Sequence, residues 1–102
     1  MKAAYSPNLK KMPLSSLFYA LSDPARLEII QMLLDREELT CGECKSNLSK
    51  STMSHHFKVL REAGLIQRRE NGKVHFISLR EEEIESRLPG FLQALLRAKG
   101  PL

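Results

Sequence analysis

The sequence predicts one mostly α-helical domain that carries a single small β-hairpin. Apolar residues recur at helical spacing before residue 64 and again after residue 80, whereas residues 65–79 alternate like strands around a turn. A chain of 102 residues has room for one hydrophobic core. We therefore expect a flexible basic arm over residues 1–12 and one folded domain over residues 13–98.

A pair of short helices joined by a tight turn is predicted at the centre of the chain, and its first helix begins near residue 40. Thr40 and Glu43 have the spacing of a capping box, in which the hydroxyl and the carboxylate satisfy unpaired backbone N–H groups. Leu39 and Cys44 flank the box at positions that can close a hydrophobic staple.

The second helix of the pair is predicted over about residues 50–63, from an N-cap at Ser49 to a left-handed glycine at Gly64. At about 100° per residue its apolar side chains share one face, which we assign to the core: Met53, Phe57 and Leu60. The opposite face and its borders are polar and contain one acid, Glu62, beside Lys50, Ser51, Thr52, Ser54, His55, Lys58 and Arg61. This composition favours a polyanion as the partner.

Basic residues concentrate in this helix pair and in the hairpin that follows it. The net charge is +4, and residues 45–76 hold a basic excess whereas residues 13–44 are acidic. Asn71-Gly72 predicts a type I′ turn in a hairpin over about residues 65–79, because both residues tolerate positive φ. We expect the hairpin cations on DNA phosphates or in the minor groove, with the solubility of the sheet edge as the alternative: Arg68, Arg69 and Lys73.

The helices predicted at both ends of the chain carry more apolar surface than a small core needs. Asp23-Pro24 caps and starts the second of the N-terminal helices, in which Arg26 either braces a carboxylate or stays solvated. Residues 81–98 predict two C-terminal helices separated by Pro89-Gly90. We expect the terminal stripes to pack against a second copy of the chain, with packing inside one subunit as the alternative: Leu14, Leu17, Phe18, Leu21, Ile84, Leu88, Phe91, Leu92, Leu95 and Leu96.

Three segments resemble the ArsR/SmtB-type winged helix-turn-helix repressors, and they follow one another along the chain in the order of that family. Residues 49–65 resemble the recognition helix of that family, residues 21–30 resemble its second helix, and residues 71–76 fall where its wing would be. The resemblance implies a sequence-specific repressor that dimerises through its terminal helices and binds a roughly palindromic site on double-stranded DNA. It also implies that His56 lies close to the DNA backbone, although its place beside the core face favours an anchoring role.

The only two cysteines, Cys41 and Cys44, are candidate sensor thiols. At i and i+3 their sulfurs share a face, and a helix N-terminus should favour thiolate, so that a metal, a metalloid or an oxidant could be the signal. Some members of the resembled family sense through cysteines on the equivalent helix, but commonly as Cys-x-Cys, which is out of register with Cys-x-x-Cys. Packing is the alternative, because two thiols cannot close a tetrahedral zinc site and Cys44 is the staple partner.

Other classes of function find little support. No set of nucleophile, base and orienting group stands out, so we expect no enzyme, no cofactor and no metal. No apolar run approaches the roughly 18 residues of a membrane span, and no signal peptide pattern is present, so we expect a cytoplasmic protein. A protein-interaction module that does not bind DNA remains an alternative. It would explain the apolar terminal helices but not the basic helix and hairpin.

Overall fold

The computed structural model describes residues 2–3, 7–44 and 47–102. In this part of the chain the helices are α1 (Leu14–Leu21), α2 (Pro24–Leu34), α3 (Lys50–Glu62), α4 (Glu81–Arg87) and α5 (Phe91–Arg97). The strands are β1 (Lys2–Ala3), β2 (Leu39–Thr40), β3 (Ile66–Asn71) and β4 (Val74–Leu79), and short 3-10 helices span Leu9–Lys11 and Cys41–Glu43. The strands form an antiparallel sheet in the order β1-β3-β4-β2. The prediction of a mostly α-helical domain with one hairpin is confirmed.

One hydrophobic core lies between the helices and the inner face of the sheet. Its largest fully buried side chains come from every part of the fold: Leu9, Leu17, Ile29, Ile30, Leu33, Leu60, Leu65, Ile66, Ile77 and Ile84. Full burial of such a side chain contributes about 1.5–3 kcal/mol. None of the described helices is long and apolar enough to cross a membrane.

The predicted start of α2 is confirmed. The Asp23 carboxylate accepts hydrogen bonds from the backbone N–H groups of Ala25 and Arg26, at 2.8 and 3.3 Å. Burial alone would raise the pKa of Asp23, but these two hydrogen bonds and the nearby charge of Arg26 lower it below its ordinary value. Asp23 is therefore a charged N-cap, and its negative charge interacts favourably with the positive end of the helix dipole.

The capping box at Thr40 is confirmed, but the helix that it starts is shorter than predicted. Thr40 N–H donates to the Glu43 carboxylate at 2.9 Å, and Glu43 N–H donates to the Thr40 hydroxyl at 3.2 Å. The described helix is the single 3-10 turn Cys41–Glu43, and Cys44 already leaves the helical conformation. The bonds of the box therefore close one turn here rather than starting a longer helix.

The prediction of a loose arm is wrong for residues 7–12, whereas residues 1 and 4–6 lie outside the described residues. Leu9 is completely buried, and the segment around it packs against α4. Arg80 donates from Nη1 to the carbonyl oxygens of Pro7 and Gly64, at 2.6 and 3.0 Å. The buried Leu9, the partly buried Met12 and the hydrogen bond from Arg80 thus hold this segment on the core. Further towards the N-terminus, β1 pairs with β3.

The hairpin is present, but its turn lies one residue later than predicted. Asn71 pairs with Val74, which leaves Gly72 and Lys73 as the two turn residues. Gly72 has a φ of +64°, while no described non-glycine residue has a positive φ. Glycine at the first central position, followed by a residue with negative φ, is the arrangement of a type II′ turn. The predicted type I′ turn at Asn71-Gly72 is therefore wrong.

The terminal apolar stripes divide between the core and the surface. Within one subunit the core already buries half of the ten residues assigned to a dimer interface: Leu17, Leu21, Ile84, Leu92 and Leu95. These five side chains therefore offer little surface to a second subunit, because α1 packs against α2 and α3, and α4 packs against α5 and the 3-10 helix Leu9–Lys11. The remaining side chains are exposed or half-buried: Leu14, Phe18, Leu88, Phe91 and Leu96.

Candidate nucleic-acid interface

Helix α3 presents a polar surface because its opposite side is fixed in the core. The predicted core face is confirmed, with Met53, Phe57 and Leu60 buried. Ser49 caps the helix by accepting a hydrogen bond from Thr52 N–H at 3.2 Å. Gly64 follows the C-cap with a φ of +85°, as predicted, and a Cβ there would meet the backbone oxygen of Pro7 at 3.2 Å. Both ends of the helix are thus defined by local contacts.

The outward face of α3 brings the predicted polar side chains together on one exposed surface. Exposed side chains on it are Lys50, Ser51, Thr52, Ser54, His55 and Lys58, while Arg61 is half-buried at its border. At the N-terminus the hydroxyls form a small network, in which Ser49 Oγ lies 2.9 Å from Thr52 Oγ1 and 3.2 Å from Ser51 Oγ. Glu62, the single acid of this helix, lies at the far end.

His56 lies in the interior rather than on this surface. Its side chain is buried, and its Nδ1 atom lies 3.2 Å from Nη1 of Arg26. The anchoring role expected from its place beside the core face is therefore confirmed. The position close to the DNA backbone that the resemblance implied is not available to its ring in this conformation.

Arg26 is the second buried polar residue, and its partners differ from both alternatives drawn from the sequence. Its Nε donates to the carbonyl oxygen of Ala20 at 2.7 Å, and its Nη2 donates to that of Tyr19 at 3.3 Å. The guanidinium carbon lies 5.4 Å from the centre of the Tyr19 ring. The expectations of a carboxylate brace and of a solvated side chain are thus both wrong. The partners are the last carbonyls of α1, which no local sequence pattern reveals.

The three hairpin cations occupy different surroundings. Lys73 is exposed in the turn, but Arg69 is half-buried and its Nε donates to the Glu38 carboxylate at 2.6 Å. The Arg69 guanidinium also lies over the Phe76 ring, 4.2 Å from its centre. Arg68 faces the inner side of the sheet and lies 3.5 Å from Glu70. Glu38 was missed in the sequence because its partner lies 31 residues away.

The surroundings of both thiols favour the protonated form. Burial raises the pKa of Cys41, which the charges of Arg68 and Arg61 only partly oppose. Burial raises the pKa of Cys44 to about 11, and Cys41 and Glu43 act in the same direction. The expectation that the helix start favours thiolate is therefore wrong. No group of three or more His, Cys, Asp or Glu residues suited to a metal occurs among the described residues.

A cavity of about 250 Å³ lies between the thiols and the start of α3. Its lining combines both cysteines with Leu48 and with apolar and polar side chains of the helix: Cys41, Cys44, Leu48, Lys50, Met53, Ser54 and Phe57. The cysteines are thus neighbours of the polar surface of α3, although they do not belong to it.

Comparison with known proteins agrees with this geometry. A family model described as a helix-turn-helix domain matches residues 21–69. An uncharacterized HTH-type transcriptional regulator of Bacillus subtilis, YceK, is 48% identical over 79% of this chain and 84% of its own length. The arsenical resistance operon repressor of Staphylococcus xylosus is 38% identical over 71% of this chain and 70% of its own length.

A solved structure shares the fold as well as the sequence. HlyU from Vibrio cholerae superposes with a TM-score of 0.69 at 34% identity, over 81% of this chain and 87% of that one. The relatives are transcriptional regulators rather than enzymes, and the resemblance drawn from the sequence is confirmed. The chain belongs to the ArsR-type family of winged helix-turn-helix DNA-binding transcriptional regulators.

Proposed function

We propose that this chain is a homodimeric cytoplasmic repressor that places α3 in the major groove of a roughly two-fold symmetric DNA site. The main support for this proposal is the outward face of α3. That face combines exposed cations, hydroxyls and one imidazole, while the opposite face is buried in the core. An α-helix fits the major groove, where base edges differ in their hydrogen-bond donors and acceptors.

The residues of α3 divide by the DNA groups that they can reach. Lys50, Ser51 and Thr52 lie in the first turn, where the helix dipole and short donors favour phosphate. Ser54 and His55 follow on the exposed face, where both can bond to base edges. Lys58 and the half-buried Arg61 extend the surface towards the phosphates beyond the groove. We leave His56 out of this set because of its burial.

The hairpin supports this docking mainly through its turn. Lys73 is exposed there, so we assign it to a flanking phosphate or to the minor groove. Arg69 and Arg68 already lie against Glu38 and Glu70. We therefore assign to these two arginines a supporting role: they hold the hairpin and add positive potential beside the groove.

The proposed dimer interface consists of the apolar side chains that one subunit leaves uncovered. Leu14 and Phe18 of α1 are 45% and 53% exposed, and Leu96 of α5 is 52% exposed. Leu88 and Phe91, which precede Leu96 in the chain, are half-buried. A second subunit would remove this surface from water and pair two copies of α3 for two half-sites.

Repression must end when a signal favours a dimer that does not fit DNA, and the signal must bind the two states with different affinity. Sensing through Cys41 and Cys44 is the second candidate function. One observation favours it: both thiols share the 250 Å³ cavity with Lys50 and Ser54 at the start of α3. Their raised pKa values oppose it, because thiolate is the form that reacts and binds metals.

Fluorescence anisotropy separates these possibilities. The protein is titrated onto the DNA just upstream of its own gene and onto a scrambled fragment of equal length, first reduced and then oxidised. The proposal predicts tight, salt-sensitive binding to the upstream fragment and weaker binding to the scrambled one. Equal binding in both redox states would exclude redox sensing through the thiols, and absence of any preference would contradict DNA recognition at this site.

A further inference from the structure

The buried guanidinium of Arg26 joins three helices at one point. It belongs to α2, it donates to the carbonyls of Tyr19 and Ala20 at the end of α1, and its third contact is His56 in the middle of α3. A cation at a helix C-terminus is favoured by the dipole, and the carbonyl oxygens there can accept its hydrogen bonds. The Tyr19 oxygen also accepts from the backbone N–H and the hydroxyl of Ser22. The end of α1 is therefore bonded, through one side chain, to the helix that carries the polar surface.

The contact between Arg26 and His56, which we call the link, fixes the tautomer of the His56 ring. Arginine has only donors, so His56 Nδ1 must accept the 3.2 Å bond and the ring proton must lie on Nε2. Nε2 is 4.0 Å from the Asp23 carboxylate, the N-cap of α2. Both ring nitrogens of His56 thus face α2 and its cap, and rotation of the ring would break the contact with Arg26.

The link connects the middle of α3, next to the exposed His55, with the end of α1. His56 directly precedes the core residue Phe57 and directly follows His55, whose exposed ring lies 6.0 Å from the His56 ring. At the other end, α1 is the helix whose exposed side carries Leu14 and Phe18. A change in the link would therefore alter the orientation of α3 relative to that apolar side.

We propose that Arg26 is the positioning residue of the DNA-reading helix: through His56 it fixes α3 relative to α1. The inference rests on the proposed function, because it assumes that α3 reads DNA. Arg26 itself touches no base in this arrangement. Its loss is expected to weaken sequence-specific binding, which needs a defined helix orientation, more than non-specific binding, which needs only positive charge.

Arg26→Lys tests the link while keeping the charge. The three acceptors face three different nitrogens of the guanidinium, Nε, Nη1 and Nη2, and the single nitrogen of an ammonium group cannot occupy all three positions. Arg36→Lys is the matched control, since Arg36 is exposed and donates to the Glu43 carboxylate, far from the link in the chain. We expect Arg26→Lys to lose about tenfold in affinity for the upstream fragment and to keep its affinity for poly(dI-dC) within about twofold. Arg36→Lys should change neither.

A double-mutant cycle with His56→Leu approaches the same link from α3. Because one bond joins the two residues, the double variant should bind the upstream fragment no more weakly than the poorer single variant. The inference would be overturned if the losses in affinity of the two single variants were fully additive in the double variant. It would also be overturned if Arg26→Lys lost equal affinity for both DNAs, or bound both like the wild type.

Nitrogen NMR of the His56 ring gives a readout that does not depend on DNA. The wild-type ring should show the Nε2–H tautomer, and Arg26→Lys should lose that fixed state whereas Arg36→Lys keeps it. A wild-type protein without sequence preference would overturn the proposed function, and an unchanged His56 spectrum in Arg26→Lys would overturn the link itself.

Discussion

At the scale of single residues, Cys44 shows how burial can outweigh a local signal. Its place near a capped helix start favours thiolate in the sequence, yet its pKa is raised to about 11. The helix at this point is one 3-10 turn, so its dipole is small, while burial disfavours the charged form. The capping bonds of Thr40 could be predicted because they are local. The burial of Cys44 could not, because the covering side chains come from other elements.

The raised pKa predicts slow alkylation of Cys44 in the folded protein. At pH 7.5 a Cys41→Ser variant should react with iodoacetamide at least about a hundredfold more slowly when native than in urea, since the thiolate fraction falls tenfold per pKa unit. Mass spectrometry of quenched samples measures both rates. Equal native and unfolded rates would contradict the burial of this thiol.

The same pKa predicts a loss of stability at high pH. The unfolded thiol ionises near its ordinary value of about 8.5, whereas the folded thiol stays protonated until about pH 11. The unfolded state therefore releases its proton first, and the free energy of unfolding falls as the pH rises through this window. Urea titrations should show this fall in the wild type and a smaller one in Cys44→Ala. The same dependence of the free energy of unfolding on pH in both proteins would contradict the raised pKa of Cys44.

At the scale of elements, local signals gave α2 and α3 their correct starts, because Asp23 and Ser49 bond within three residues of themselves. The hairpin turn was misplaced by one residue, since two-residue turns at Asn71-Gly72 and Gly72-Lys73 both place glycine at a positive φ. Cross-strand pairing of Asn71 with Val74 decided between them. That pairing depends on where both strands join the core, which the turn residues do not encode.

The type II′ turn predicts that Asn71 tolerates a β-branched residue. Asn71 pairs in the ladder with a negative φ, so Asn71→Thr should change the free energy of unfolding by less than about 0.5 kcal/mol. Gly72→Ala should cost about 1 kcal/mol, because Gly72 has a φ of +64°. Urea denaturation measures both variants. A loss above about 1 kcal/mol in Asn71→Thr would restore the type I′ turn.

At the scale of the whole molecule, the sequence predicted the apolar stripes but not which side chains the subunit covers itself. Leu17 and Phe18 are neighbours in one helix, yet the first is completely buried and the second is 53% exposed. An amphipathic pattern is the same for a core and for a subunit interface, because both bury apolar surface. The packing of α1 against α2 and α3 separates the two in this subunit.

The proposed dimer predicts that Phe18→Glu produces monomers. A buried, unpaired carboxylate at a subunit interface costs several kcal/mol, whereas Phe18 contributes little to the core of one subunit. Gln67→Glu is the control, because Gln67 is exposed in strand β3, outside the helices of the proposed interface. Light scattering coupled to size exclusion measures the mass of each variant. A Phe18→Glu dimer as stable as the wild type would place the interface elsewhere.

The salt dependence of DNA binding tests the central claim, that the exposed face of α3 lies against DNA, most directly. Affinity for the upstream fragment is measured by anisotropy at several salt concentrations for the wild type, Lys58→Met and Lys99→Met. Lys99 is exposed beyond the end of α5 and serves as a control for lost charge. We predict that Lys58→Met lowers the slope of log affinity against log salt by about one per subunit, and that Lys99→Met leaves it unchanged. An unchanged slope in Lys58→Met would contradict the docking of α3 on DNA.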